Sequence, residues 1–140
     1  MNKINMGKVI IGGLVAGLVL NIIDFVINVP MLGDKWLAET QARGVDPNNV
    51  PLGGMGWVIV DFLGGIFIVW LYASIRPRFG QGPKTALIAG LATWAICHLM
   101  FAAFWFMGLY SAGLIFESSL GALVSSCVAA LAGCSMYKEA

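Results

Sequence analysis

From Val9 to Val29 the chain is almost wholly apolar, yet inside that run stands Asn21-Ile22-Ile23-Asp24-Phe25-Val26-Ile27-Asn28. At about 1.5 Å per residue a helix over the run is roughly 30 Å long, the thickness of a bilayer's hydrocarbon layer. A charged side chain in the middle of such a helix costs roughly 2.5–3.5 kcal/mol on insertion scales. The fold must therefore bring Asp24 partners from elsewhere in the chain.

Three more apolar runs follow, Met55–Ile75, Thr85–Met107 and Ser111–Met136, and each carries ionisable residues of its own: Asp61, His98 and Glu117. The pattern predicts an all-α integral membrane four-helix bundle, a single domain over 1–140. The helices fall at about 9–29, 55–75, 85–107 and 111–136, with an outer loop at 33–54. Of the 140 residues 59% are hydrophobic and 11% charged, whereas a soluble domain carries about 25% charged residues. Lipid must solvate many of these side chains. A net charge of +1 argues against a nucleic-acid partner, which requires a basic face. Cys97, Cys127 and Cys134 all lie in apolar runs and read as small apolar packers rather than a disulfide framework.

Lys3 and Lys8 before the first run resemble the start of a signal peptide. The run continues to Val29 with no small-x-small cleavage site, which favours an uncleaved helix. Its residues Gly13, Gly17, Asn21, Asp24 and Asn28 share one face, so close helix packing and the polar groups coincide. Pro30 is expected to end it. In the outer loop, Asp34 to Arg43 is expected to form a short interfacial helix stopped by Gly44, with Trp36 and Leu37 toward the headgroups. A surface loop with a Trp anchor is the simpler reading of this segment, a lid over the polar groups the other.

The loop Arg76-Pro77-Arg78-Phe79-Gly80-Gln81-Gly82-Pro83-Lys84 sets the orientation. It and the two terminal segments hold Lys3, Lys8, Arg76, Arg78, Lys84 and Lys138, against only Lys35 and Arg43 on the other side. The positive-inside rule then puts both termini in the cytoplasm and the protein in a bacterial inner membrane. The Arg cluster is thereby explained as an orientation signal, with a phosphate or lipid-headgroup site the lesser reading. In the third span Trp94 precedes His98 by four residues, as Trp57 precedes Asp61 in the second, so each polar group has an indole one turn away. The last span presents Gly113, Glu117, Gly121, Ser125, Ala129 and Gly133 on one face and should pack inside the bundle along its length. No internal duplication is evident.

Depth argues that the ionisable groups meet. Counting about 1.5 Å per residue from the outer helix ends, Asp24 lies roughly 8 Å deep, Asp61 roughly 9 Å, His98 roughly 13 Å and Glu117 roughly 9 Å. The expected site is one layer of Asp24, Asp61, His98 and Glu117, with Asn21, Asn28, Ser118 and Ser119 as hydrogen-bonding neighbours. Three carboxylates in low dielectric cannot all stay charged, so the layer should hold a proton or a cation. As a metal site, three oxygens and an imidazole suit Mn, Fe, Zn or a similar divalent ion, but no H-E-x-x-H, E-x-x-H or CxxC motif is present. A haem or pigment on His98 is disfavoured, because a lone His among aromatics is more often hydrogen-bonded. No nucleophile or cofactor motif speaks for an enzyme, although a carboxylate acting as general acid on a lipid or quinone is the one conceivable case.

Chain length and span count resemble those of the small multidrug resistance transporters, which use one membrane glutamate in the first helix. Here the first helix carries Asp24 between asparagines, other helices are also ionisable, and the outer loop is too long. The apolar first span, Met31-Leu32-Gly33-Asp34-Lys35-Trp36-Leu37 and the Gly-rich second span are similar to uncharacterised small four-span bacterial membrane families, including a domain-of-unknown-function group with a Gly/Trp loop after helix one. That resemblance implies a fold and no activity. Two functions are then expected: binding or movement of a cation, proton or small polar molecule, or service as an accessory or assembly subunit. In the second case the polar layer is a structural network that fixes helix packing. The implied partners are the lipid bilayer and either further copies of the chain or a larger membrane complex.

Overall fold

The computed structural model describes residues 3–139; residues 1, 2 and 140 of the expected single domain lie outside the described residues. The described residues form helices α1 (Met6–Val26), α2 (Gly33–Gln41), α3 (Met55–Phe79), α4 (Pro83–Phe106) and α5 (Ala112–Ser135), with no strand among them. Four stretches are long and apolar enough to cross a membrane: Met6–Met31, Met55–Phe79, Pro83–Phe106 and Ala112–Ser135. That is the make-up of a multi-pass membrane protein.

The helix boundaries have local causes. Asn5 caps α1 by accepting from Lys8 N at 3.2 Å, and Ser111 caps α5 by accepting from Leu114 N at 3.3 Å, each satisfying an amide the helix leaves unpaired. Between α3 and α4 the turn is tight because Gly80 and Gly82 take φ of +81° and +129°, which a side chain would oppose, and Pro83 then starts α4. Pro30 does not stop the first span. The helix widens into a π turn over Ile27–Met31, and Leu32 donates to the Ile27 carbonyl five residues back at 3.0 Å. Widening spares the chain the bond that Pro30 has no N–H to make. Both hairpin sides also run longer than hydropathy suggested: α3 continues through Arg76 and Arg78 to Phe79, and α4 begins at Pro83.

Helix α1 packs against α3 on one side and α5 on the other, while α4 fills the gap between α3 and α5 opposite α1. Missing side chains set these contacts. A Cβ on Gly65 of α3 would lie 2.5 Å from the Gly13 carbonyl oxygen of α1 and would also strike the Gly17 backbone. A Cβ on Gly12 would lie 2.5 Å from the Gly133 carbonyl of α5, and one on Gly90 of α4 would lie 2.8 Å from the Ser126 carbonyl. Backbone-to-backbone approach of this kind drives helix association where lipid removes the hydrophobic incentive. The core residues Val9, Ala16, Ile68, Val69, Ala89 and Ala129 lie in the halves of the helices toward the termini. Of the cysteines, Cys134 is buried in this core, Cys127 is half-buried and Cys97 is exposed on α4.

Candidate functional site

The expected layer of four ionisable groups divides among three places, and each division follows from which helix packs where. Asp24 of α1 and Asp61 of α3 lie within electrostatic reach of each other. Gly17 lets the backbones of α1 and α3 approach here: a Cβ there would lie 3.2 Å from the Asp61 carbonyl oxygen and 2.6 Å from the Phe62 ring. Asn21 fastens the same crossing. Its Nδ2 donates to Gly17 O in its own helix at 2.9 Å and to Val58 O in α3 at 3.4 Å. Ser125 of α5 is the hydroxyl neighbour of Asp24, but its Oγ bonds the Ala122 carbonyl at 3.2 Å. Asp24 Oδ1 is buried with no hydrogen-bond partner. A buried charged oxygen left this way is costly.

His98 does not join the carboxylates. Because α4 packs on α5, its Nδ1 meets Ser119 Oγ at 2.9 Å. The ring stacks on Trp94 at 5.9 Å and meets Phe101 edge-on at 5.6 Å, and Trp94 Nε1 donates to the Ser119 carbonyl at 2.9 Å. The expected Trp94/His98 neighbourhood is therefore present, as a packed and hydrogen-bonded seam between two helices. Trp57, the corresponding indole before Asp61, is instead 71% exposed.

Glu117 also leaves the layer. Its carboxylate takes both bonds from Lys35 Nζ of α2, at 2.5 and 2.7 Å. Rise along the helix places Glu117 at the right depth but cannot foresee a lysine reaching down from the outer loop. Among the described residues no three His, Cys, Asp or Glu side chains come together as a metal ion would require. The four expected ligands Asp24, Asp61, His98 and Glu117 are not brought together: His98 is held by Ser119 and Glu117 by Lys35. What remains near Asp24 is oxygen chemistry only: the hydroxyl of Ser125 and, within electrostatic reach, the Asp61 carboxylate. Such donors suit hard cations or a proton rather than Fe or Zn.

Asn28 and Trp36 show what sequence reasoning missed. Asn28 Nδ2 donates to the Asp24 carbonyl at 3.0 Å, and its Oδ1 accepts from Trp36 Nε1 at 3.0 Å. Trp36 was expected to face the headgroups. Its ring instead turns inward, 6.1 Å from Phe101 and 5.2 Å from Tyr110. The signal was Asn28 itself, an amide at the end of an apolar run with a bond to spare.

Comparison with protein-family models, curated proteins and solved structures finds no match.

Proposed function

We propose that this protein binds, and passes across a membrane, a proton or a hard cation at the Asp24/Asp61 pair. The observation that carries the reading is the orphaned Asp24 Oδ1, with a second carboxylate, Asp61, within electrostatic reach inside the apolar spans. Two carboxylates within electrostatic reach in low dielectric favour a compensating proton or cation, and an apolar bundle has little reason to keep both unless that charge comes and goes. Asn21 and Gly17 are positioning residues that hold α1 against α3 so that the pair forms.

The orientation belongs to the same proposal. Four crossings put both termini on one side, and the excess of Lys and Arg there makes that side cytoplasmic in a bacterial inner membrane. The α2 end then faces out, and the carboxylates are reached from outside.

Proteoliposomes loaded with a pH-sensitive dye, and with Na⁺, K⁺ or Ca²⁺ gradients in turn, test the reading. Wild-type protein should carry one of these ions. Asp24→Asn and Asp61→Asn should each abolish that flux, and His98→Gln should leave it intact. Flux that survives both carboxylate substitutions, or wild-type protein that neither binds nor carries any of these ions, overturns the reading.

A further inference from the structure

Helix α2 lies outside the four spans and is nevertheless tied to three of them. Lys35 holds Glu117 of α5 at 2.5 Å. Trp36 bonds Asn28 at the end of the first span and packs on Phe101 of α4. Glu39 accepts from the Ser111 backbone N–H at 2.8 Å and from the Ser111 hydroxyl, at the cap of α5. Arg43, just past the end of α2, stacks over Tyr110 at 4.7 Å.

Beneath α2 runs the seam between α1 and α5. Residues 117, 121 and 125 are successive turns of one face of α5. The outermost turn carries the Lys35–Glu117 pair. At the next, Gly121 leaves a gap that Ile27 fills; a Cβ at 121 would lie 2.7 Å from Ile27 Cγ2. At the third, Ser125 neighbours Asp24. Eight residues separate the pair from Ser125, roughly 12 Å along the helix. Two barriers thus stand between Asp24 and the water at the α2 end, an apolar plug and a charged tie above it. Both side chains of the tie are partly exposed, so it is weak enough to exchange with water. The segment carrying Lys35 begins just after the π turn and Leu32, and ends at Gly44 with φ +71°, so it has a turn at each end on which to move.

We propose that α2 is a latched strap, closed by Lys35–Glu117 over the α1–α5 seam, whose release admits water and the cation to Asp24 and Asp61. This rests on the carboxylate pair being the binding site. The strap sets when the site is reached, and the pair sets what is bound.

The test reads access to Asp24 without requiring transport. Full-length protein in nanodiscs, with Cys97, Cys127 and Cys134 replaced by Ala, is treated with a water-soluble carbodiimide and glycinamide, and coupling at Asp24 is followed by peptide mass spectrometry. Lys35→Gln and Glu117→Gln should each speed coupling several-fold. The charge swap K35E/E117K should restore the parent rate, which a merely structural loss would not allow. In K35C/E117C, a short bis-methanethiosulfonate bridge should stop coupling and a reductant should restart it. Equal coupling in all these variants, or a bridged protein that couples as fast as the reduced one, overturns the strap. If coupling follows the latch but no ion moves, the transport reading falls and the strap stands. If flux depends on Asp24 and Asp61 but is indifferent to the bridge, the strap falls and the site stands.

Discussion

Glu39 shows how one half-buried side chain can hold a segment. The Ser111 hydroxyl bonded to it, then the Ser111 backbone N–H and Arg43, keep its carboxyl below the usual value of 4.5, with slight burial opposing them. A carboxyl whose folded value is depressed adds stability that is fully present above the unfolded value and is lost as pH falls through the folded one. Docking of α2 through Glu39 should therefore be constant from neutral pH down to the usual value of 4.5 and weaken only below it. Amide exchange in residues 33–44, corrected for intrinsic rates, measures this. Protection should drop below that pH in the wild type, and Glu39→Gln should flatten the drop. Loss of protection already at pH 6 would mean that another group holds the segment. Asn21 makes the contrasting case, because it reaches Val58 O in the neighbouring helix as well as Gly17 O in its own. Polar contacts between membrane helices average about 0.6 kcal/mol, so Asn21→Leu should cost little stability while slackening the α1–α3 crossing at Val58.

Helix pairing depends on where side chains are absent, and the glycines divide sharply by what surrounds them. Gly65 faces the backbone of Gly13 and Gly17, whereas a Cβ on Gly113 would meet nothing within 4 Å. Gly65→Ala should force α1 and α3 apart, at a cost of about 1–3 kcal/mol by overpacking. Gly113→Ala should be neutral or slightly stabilising, since alanine is favoured over glycine in a helix by about 1 kcal/mol. Thermal unfolding in mild detergent compares them, and equal melting of the two variants would show that the α1–α3 crossing does not depend on backbone contact. These crossings were legible in the sequence because Gly13 and Gly17 repeat at helical spacing beside a buried carboxylate. The spans were legible because each apolar run is long enough to cross the hydrocarbon layer, which a helix in a small soluble core has no need to be. Helix α2 was legible as a helix, with Gly44 as its stop, but its docking was not. A Trp on a short amphipathic helix looks the same whether it faces headgroups or folds back onto Asn28. Lys35 and Glu117 are joined only by tertiary structure, 82 residues apart, and rise per residue gives depth but not bearing. His98 shared a depth with the carboxylates and still turned toward Ser119, because the helix opposite it is α5.

The bundle is packed unequally along its axis, and this bears most directly on how an ion would cross it. Buried residues in α1 run from Val9 to Leu20, in α3 from Gly65 to Ala73 and in α4 from Thr85 to Thr93, mostly in the halves near the termini, while α5 is buried from Leu114 to Cys134. That end is closed by Tyr137, whose hydroxyl accepts from Asn5 N at 3.3 Å and whose ring meets Tyr72 edge-on at 6.0 Å. Arg76 lies over the Tyr137 ring at 5.6 Å and pairs with Glu139 at 3.5 Å. Toward the α2 end the flanks of α3 and α4 are bare: Trp57 is 71% and Leu99 75% exposed. Asp24 and Asp61 sit where the tight half gives way to the loose one. A cation admitted past α2 would thus meet the carboxylates first and a sealed helix core behind them, so crossing requires the core half to rearrange while the strap is shut. Hydrogen exchange in nanodiscs tests the asymmetry. Amides in 57–63 and 96–106 should exchange faster than those in 66–75 and 85–93, because fewer packed side chains there oppose local opening of the helices. Tyr137→Phe, which removes the bond to Asn5 but keeps the ring, should raise exchange in 66–75 without changing 57–63. Uniform protection along α3 and α4 would mean that lipid seals the α2 half as tightly as side chains seal the other.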